Sequence, residues 1–128
     1  MIKTYNPTTI APPFSKYSQG AEGPANARWL YIAGQVGVDP DGTILEGSAA
    51  QIERAWRNLF GVLEAAGMGI EHLVKVTTFI TRPEDVALNR EIRDRLLDGH
   101  QPAVTMVTVA ALSHPDWLVE IEGVAAKP

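Results

Sequence analysis

Cysteine is absent from the 128-residue chain, which removes disulfides, thiolate metal ligands and thiol nucleophiles from its chemistry. No apolar run approaches the ~20 residues of a membrane helix, and Met1-Ile2-Lys3-Thr4-Tyr5 carries no signal-peptide core. A cytoplasmic protein without membrane contact is the expectation. Positive charge is also scarce: 11 Lys and Arg face 15 Asp and Glu, for a net charge of −4. A nucleic-acid partner would have to bind against that mean field. The densest basic group, Arg90, Arg93 and Arg95, interleaves with Glu91 and Asp94 and reads as a solvated helix face. His72, His100 and His114 share no spacing that would unite them, so surface or capping roles are expected for each, with no metal and no cofactor. No repeat or low-complexity stretch appears.

What is present is ordinary for a folded chain: 45% hydrophobic and 20% charged residues, far from the balance that signals disorder. The length suits a single domain spanning 1–128, one that hides roughly two-thirds of its unfolded surface.

The first 28 residues hold Pro7, Pro12, Pro13 and Pro24, and so should be extended or looped and laid over something. Trp29-Leu30-Tyr31-Ile32-Ala33 is strand-like. Gly34 breaks or bends it, and Gln35 to Val38 leads into a turn at Asp39-Pro40-Asp41-Gly42. Ser48-Ala49-Ala50-Gln51 has the form of a capping box. Ile52, Ala55, Trp56, Leu59, Leu63 and Ala66 then recur at helical spacing until Gly67. Leu73 to Ile80 alternates with period two. Thr81-Arg82-Pro83-Glu84 forms a second capping pattern before a helix that runs to about Asp98, with Val86, Ile92 and Leu96 inward. Strands over Val104–Ala110 and Trp117–Ala125 close the chain.

Each helix separates strands and each is apolar on one side, so the economical arrangement is α+β: one mixed sheet with both helices on one face. The other face, with Lys75, Thr77 and Phe79, has no helix left to cover it. If much of that face is apolar, burial against copies of the same chain is expected.

Several short pieces occur in a fixed order: Tyr17-Ser18-Gln19-Gly20, Ala33-Gly34-Gln35, Ala65-Ala66-Gly67, Lys75-Val76-Thr77-Thr78-Phe79, Asn89, Pro102-Ala103 and Val119-Glu120-Ile121-Glu122. Together they span nearly the whole chain and resemble the Rid family (YjgF/RidA, reactive intermediate deaminases, also called the endoribonuclease L-PSP family). The resemblance implies a chorismate-mutase-like (YjgF-like) fold, a homotrimer, and small-molecule clefts between subunits. In deaminating members similar to this chain, an arginine follows the Pro-Ala pair and grips the substrate carboxylate. Here that position is Val104. The resemblance further implies that Tyr17 and the backbone at Gly34 line the cleft, that main chain near Met106 helps to hold the water, and that Glu120 orients it.

Glu120 suits a general base, since a strand presents it rigidly and an imine carbon needs only a positioned water and a proton route to nitrogen. Read without the resemblance, Glu120 and Glu122 are two carboxylates on a solvated sheet face. Val104 offers no donor. Losing one member of a buried charge pair costs about 2–5 kcal/mol, so efficient turnover of small 2-imino acids is not expected unless another arginine reaches the cleft, Arg28 being the nearest candidate by segment. Restoring the side chain with Val104→Arg should then create or raise 2-iminopropionate hydrolysis.

Three functions follow from this. The first is a Rid-type hydrolase acting on a less acidic or larger enamine or imine, with Val104 and Met106 as an apolar wall. The second is a noncatalytic trimer that binds a metabolite or a protein partner through the same clefts. The third and weakest is a ribonuclease, opposed by the acidic balance and the lack of a basic stripe. Asn89 is expected to fix neighbouring backbone, and Trp29, Trp56 and Trp117 to serve core or subunit contacts. Gly20, Gly34 and Gly37 form no nucleotide fingerprint, because no helix follows them directly.

Overall fold

Alternation of apolar and polar residues puts one face of every long strand against the helices, and the computed structural model, which describes residues 1–128, follows that alternation closely. Strands β3 (Arg28–Val36), β4 (Leu73–Ile80), β5 (Ala103–Thr108) and β6 (Val119–Lys127) form one sheet in the order β3-β6-β4-β5. β6 runs antiparallel to β3 and β4, while β4 and β5 are parallel. A parallel pair needs a crossover, and helix α2 (Val86–Leu97) supplies it. Helix α1 (Ser48–Ala65) follows β3 and packs on β3 and β6.

The core lies between these helices and the sheet. Ile52, Ala55, Trp56, Leu59 and Leu63 of α1 meet Leu73, Val76 and Ile80 of β4 and Val119, Ile121 and Ala125 of β6. Trp56 is 1% exposed and packs at a tilt on Phe60, with ring centroids 5.9 Å apart. Close approach of α1 to the sheet depends on Gly37: a methyl group there would stand 2.4 Å from the Cα of Gln51. The bend expected at Gly34 is present as a register shift, with Ile32 opposite Gly123 but Gln35 opposite Ile121.

The proline-rich N-terminal segment is more ordered than its composition suggests. β1 (Lys3–Tyr5) and β2 (Gly20–Glu22) pair as a separate antiparallel ribbon. Neither proline-bearing stretch interrupts it, since Pro7, Pro12 and Pro13 all fall in the connecting loop.

Both capping boxes are corrected. Gly47, at φ 86°, takes the cap position of α1, which makes Ser48 the first helical residue and frees its hydroxyl. Ser48 donates instead to Asp85 Oδ2 (2.6 Å) and accepts from Arg82. Gln51 is likewise a tertiary tie. Its amide nitrogen donates to the carbonyls of Leu45 and Asp116, and its oxygen accepts from the N–H of Leu118. Before α2, Arg82 caps a short 3-10 turn, Pro83–Asp85, without a side-chain bond from Thr81, whose N–H points back to Leu118. Pro83 does occupy the first turn, where its missing N–H is harmless. Gly67 ends α1 at φ 70° as expected, and α2 stops at Leu97 because Asp98 and Gly99 are both left-handed.

Candidate functional site

The Tyr17 loop is held to the start of β5 by backbone and side chain together. Ser18 N–H donates to the carbonyl of Pro102 (3.1 Å), its hydroxyl donates to that of Gln101 (2.5 Å), and Ser18 bridges Ala103 in parallel register. The tether sets Tyr17 beside Val104. Together with Phe14, Ser15, Thr105, Met106 and the α2 residues Arg90 and Arg93, they line a pocket of about 260 Å³. Tyr17 Oη accepts from the N–H of Phe14 (3.3 Å), closing the loop on itself.

Val104 and Met106 face the helices. They stand in register with buried Val76 and Thr78 of β4 and pack against the core. Thr105 and Val107 turn the other way, and Thr105 Oγ1 accepts from Lys75 Nζ (2.7 Å) on the face without helices.

Glu120 also lies on that helix-free face, in register with Phe79 of β4 and Val36 of β3. It and Glu122 do point the same way, both outward between buried Val119, Ile121 and Gly123. The Glu120 side chain lies over the backbone of Gly34 so closely that a methyl group at Gly34 would be 1.9 Å from Oε2. Only glycine leaves room for that carboxylate.

The five site residues expected from the sequence thus form two groups. Tyr17, Val104 and Met106 meet at the β5 edge on the helical side, while Gly34 and Glu120 meet on the opposite face. β4 separates β5 from β6, a span of roughly 10 Å. Within one chain the two groups do not form a single cleft.

Arg28, the candidate substitute arginine, does not approach Glu120 within one chain. It is exposed at the far end of β3, opposite Lys127, whereas Val36 of the same strand lies opposite Glu120. Eight residue steps along the strand separate the two ends, roughly 26 Å. The reading of Arg93 as solvated is corrected: its side chain is 3% exposed. Its Nε donates to Asp94 Oδ1 (3.0 Å) and its Nη2 to the Ser15 hydroxyl (3.1 Å). The signal was available. Asn89, Ile92, Arg93 and Leu96 are spaced as one helical stripe, and all four are buried.

Asn89 fixes backbone, donating from Nδ2 to the carbonyl of Asp85 (2.9 Å). The histidines bond backbone: His72 accepts from Gly69 N–H and His114 from Asp116 N–H, both locally, while His100 meets the Leu73 carbonyl across 27 residues. No group of three or more His, Asp or Glu gathers as a metal site. Arg82 pairs with Asp85 (3.1 Å) beside Ser48, and the Asp85 hydrogen bond and charge raise the pKa of Arg82 above its ordinary value. No helix is long and apolar enough to cross a membrane. Hollows of about 430 Å³ beside α1 contain none of the five residues.

A sequence profile of the endoribonuclease L-PSP family matches residues 8–127. The chain belongs to that family, the Rid (YjgF/RidA) family. Among Rid-family relatives, a RutC family protein of Pyrococcus horikoshii is 33% identical over 117 residues, covering 90% of each chain. A mouse protein named 2-iminobutanoate/2-iminopropanoate deaminase is 34% identical over 130 residues, covering 99% of this chain and 93% of its own. Among solved structures, the Rid-family protein YyfB of Yersinia pestis, described as of unknown function, superposes with a TM-score of 0.89 at 31% identity over 98% of each chain. The YjgF-like fold, with two helices on one face of a mixed sheet, is therefore shared.

Proposed function

We propose that this Rid-family chain hydrolyses an imine or enamine other than the small 2-imino acids, in clefts that copies of the chain complete between them as a homotrimer. One observation carries the reading. Glu120 lies over Gly34 on a sheet face that no helix covers, while Tyr17, Val104 and Met106 line a pocket on the other side of the same sheet. Two such half-sites are what a cleft shared by neighbouring protomers requires. Trp29 and Tyr31, 50% and 76% exposed on that uncovered face, give the neighbours apolar surface to bury.

The chemistry needs few groups. The Glu120 carboxylate accepts a proton from water as the water oxygen bonds to the imine carbon and the C=N π pair moves to nitrogen. Nitrogen takes up the proton, and the carbinolamine collapses to a carbonyl compound and ammonia. A positioned carboxylate contributes about 10²–10⁴-fold to such a step. The deaminase name of the mouse relative supports the reaction class, and Val104 argues against that relative's substrates, since valine has no donor for a carboxylate.

The test is a panel of imines generated enzymatically in the presence of the protein. Wild type should accelerate hydrolysis of at least one, and Glu120→Ala should lose about 10²–10⁴-fold. Equal rates for the two proteins on every substrate would remove the proposal. They would leave the second reading, also motivated by Val104, of a noncatalytic trimer that binds a metabolite or partner in the same clefts.

A further inference from the structure

We infer that Arg90 and Arg93 of α2 hold the anionic group of the ligand, and that this ligand carries its carboxylate several bonds away from the reacting carbon. The inference rests on the cleft assigned above and names its substrate class. Both arginines line the pocket that Tyr17, Val104 and Met106 share, and no carboxylate is among the residues lining it. The arginine ion pairs of the chain engage Arg54, Arg57, Arg82, Arg93 and Arg95. Arg90 is in none of them and makes no side-chain hydrogen bond, although it is only half-exposed.

Arg93 is built as a receptor for an anion. Asp94 and the Ser15 hydroxyl fix Nε and Nη2, so the planar fork is oriented before any ligand arrives, while Nη1 makes no hydrogen bond within the chain. The guanidinium is buried and paired with Asp94, yet Nη1 is not among the sealed atoms without a partner, so it is open to a ligand in the pocket. A carboxylate bridging Arg90 and Nη1 of Arg93 would accept charge-assisted bonds from both.

Position then selects the ligand. Val104 faces the helices and packs on the core, so an anion held by α2 sits behind the strand, on the other side of the sheet from the face that carries Glu120. A 2-imino acid bears its carboxylate on the reacting carbon itself and is too short to engage both. An imine with a spacer of two or more carbons reaches.

Levulinate, pyruvate and methyl levulinate test this by calorimetry on the full chain, since each is the stable carbonyl counterpart of an imine. Levulinate should bind about tenfold or more tighter than either of the others. Arg90→Gln should weaken levulinate by about tenfold to a hundredfold, the range for hydrogen bonds to a charged group. Arg93→Lys, which keeps charge but loses the fork, should weaken it too. Arg90→Gln carries the decision because its half-exposed, unpaired side chain can be changed without harm to folding. Equal binding of the neutral ester, or levulinate affinity unchanged in Arg90→Gln, overturns the inference. Glu120-dependent hydrolysis combined with arginine-indifferent binding would do so while leaving the proposed function intact. Arginine-dependent levulinate binding without hydrolysis of any imine would support the anion site and remove the hydrolase.

Discussion

The two faces of the central sheet differ more than any other two regions of the molecule. Toward the helices, Leu73, Val76, Ile80, Val119, Ile121 and Ala125 are completely buried. Away from them, Trp29, Tyr31 and Val107 lie open among Lys75, Thr77, Glu120 and Glu122. The same four strands build both faces, so β propensity cannot account for the contrast. What differs is the covering: α1 and α2 are the only long helices, and both pack on one side. The helical face secures the fold, and the open face, with its carboxylate and its large aromatic residues, is the one to which the proposed function assigns assembly and chemistry.

That division predicts separable mutational effects. Trp56→Ala should produce the largest, about 3–5 kcal/mol of lost stability from transfer and cavity costs combined, read as a lowered midpoint in urea unfolding. A loss below about 1 kcal/mol would mean that the helical face is not the stabilising one. Gly34→Ala should do the reverse. The new methyl collides with the flexible Glu120 side chain rather than with backbone, so the carboxylate shifts while the fold persists. Displacement of about 1 Å can reduce a rate about 100-fold, and circular dichroism melts run alongside the imine assay should show nearly unchanged unfolding. Parallel loss of stability and rate would erase the contrast. Tyr31→Asp, smallest in energy at about 2 kcal/mol for a central aromatic contact, should shift the sedimenting species toward monomer at micromolar concentration. A variant that assembles like wild type would show that this face is not the one neighbours cover.

Much of the framework was readable in the residues. The period of two over Leu73–Ile80 and the helical stripe from Ile52 to Leu63 gave the right elements, because single-sided burial imposes those spacings directly. Gly34 as the point of bending was legible for a similar reason. The capping patterns misled because a motif records local possibility, whereas Ser48 and Gln51 are used by partners 37 and 67 residues away. Arg93 was misplaced by its charge, which outweighed a helical spacing that put it inside. Arg28 was chosen by nearness in segment, and within one chain register along β3 carries it away from Glu120. The grouping of Tyr17 with Val104 and of Gly34 with Glu120, on opposite faces, could not be read from residue types at all. It follows from strand order.

The bond from Ser18 to Gln101 joins positions 83 apart in the chain. Closing so long a loop is entropically demanding, and distant pairings of this kind delay folding. Tyr17 can reach its place only after β5 has been laid down beside β4. The arm bearing it, though made first, therefore waits for most of the chain before it is seated, and only the central strand β6 emerges later.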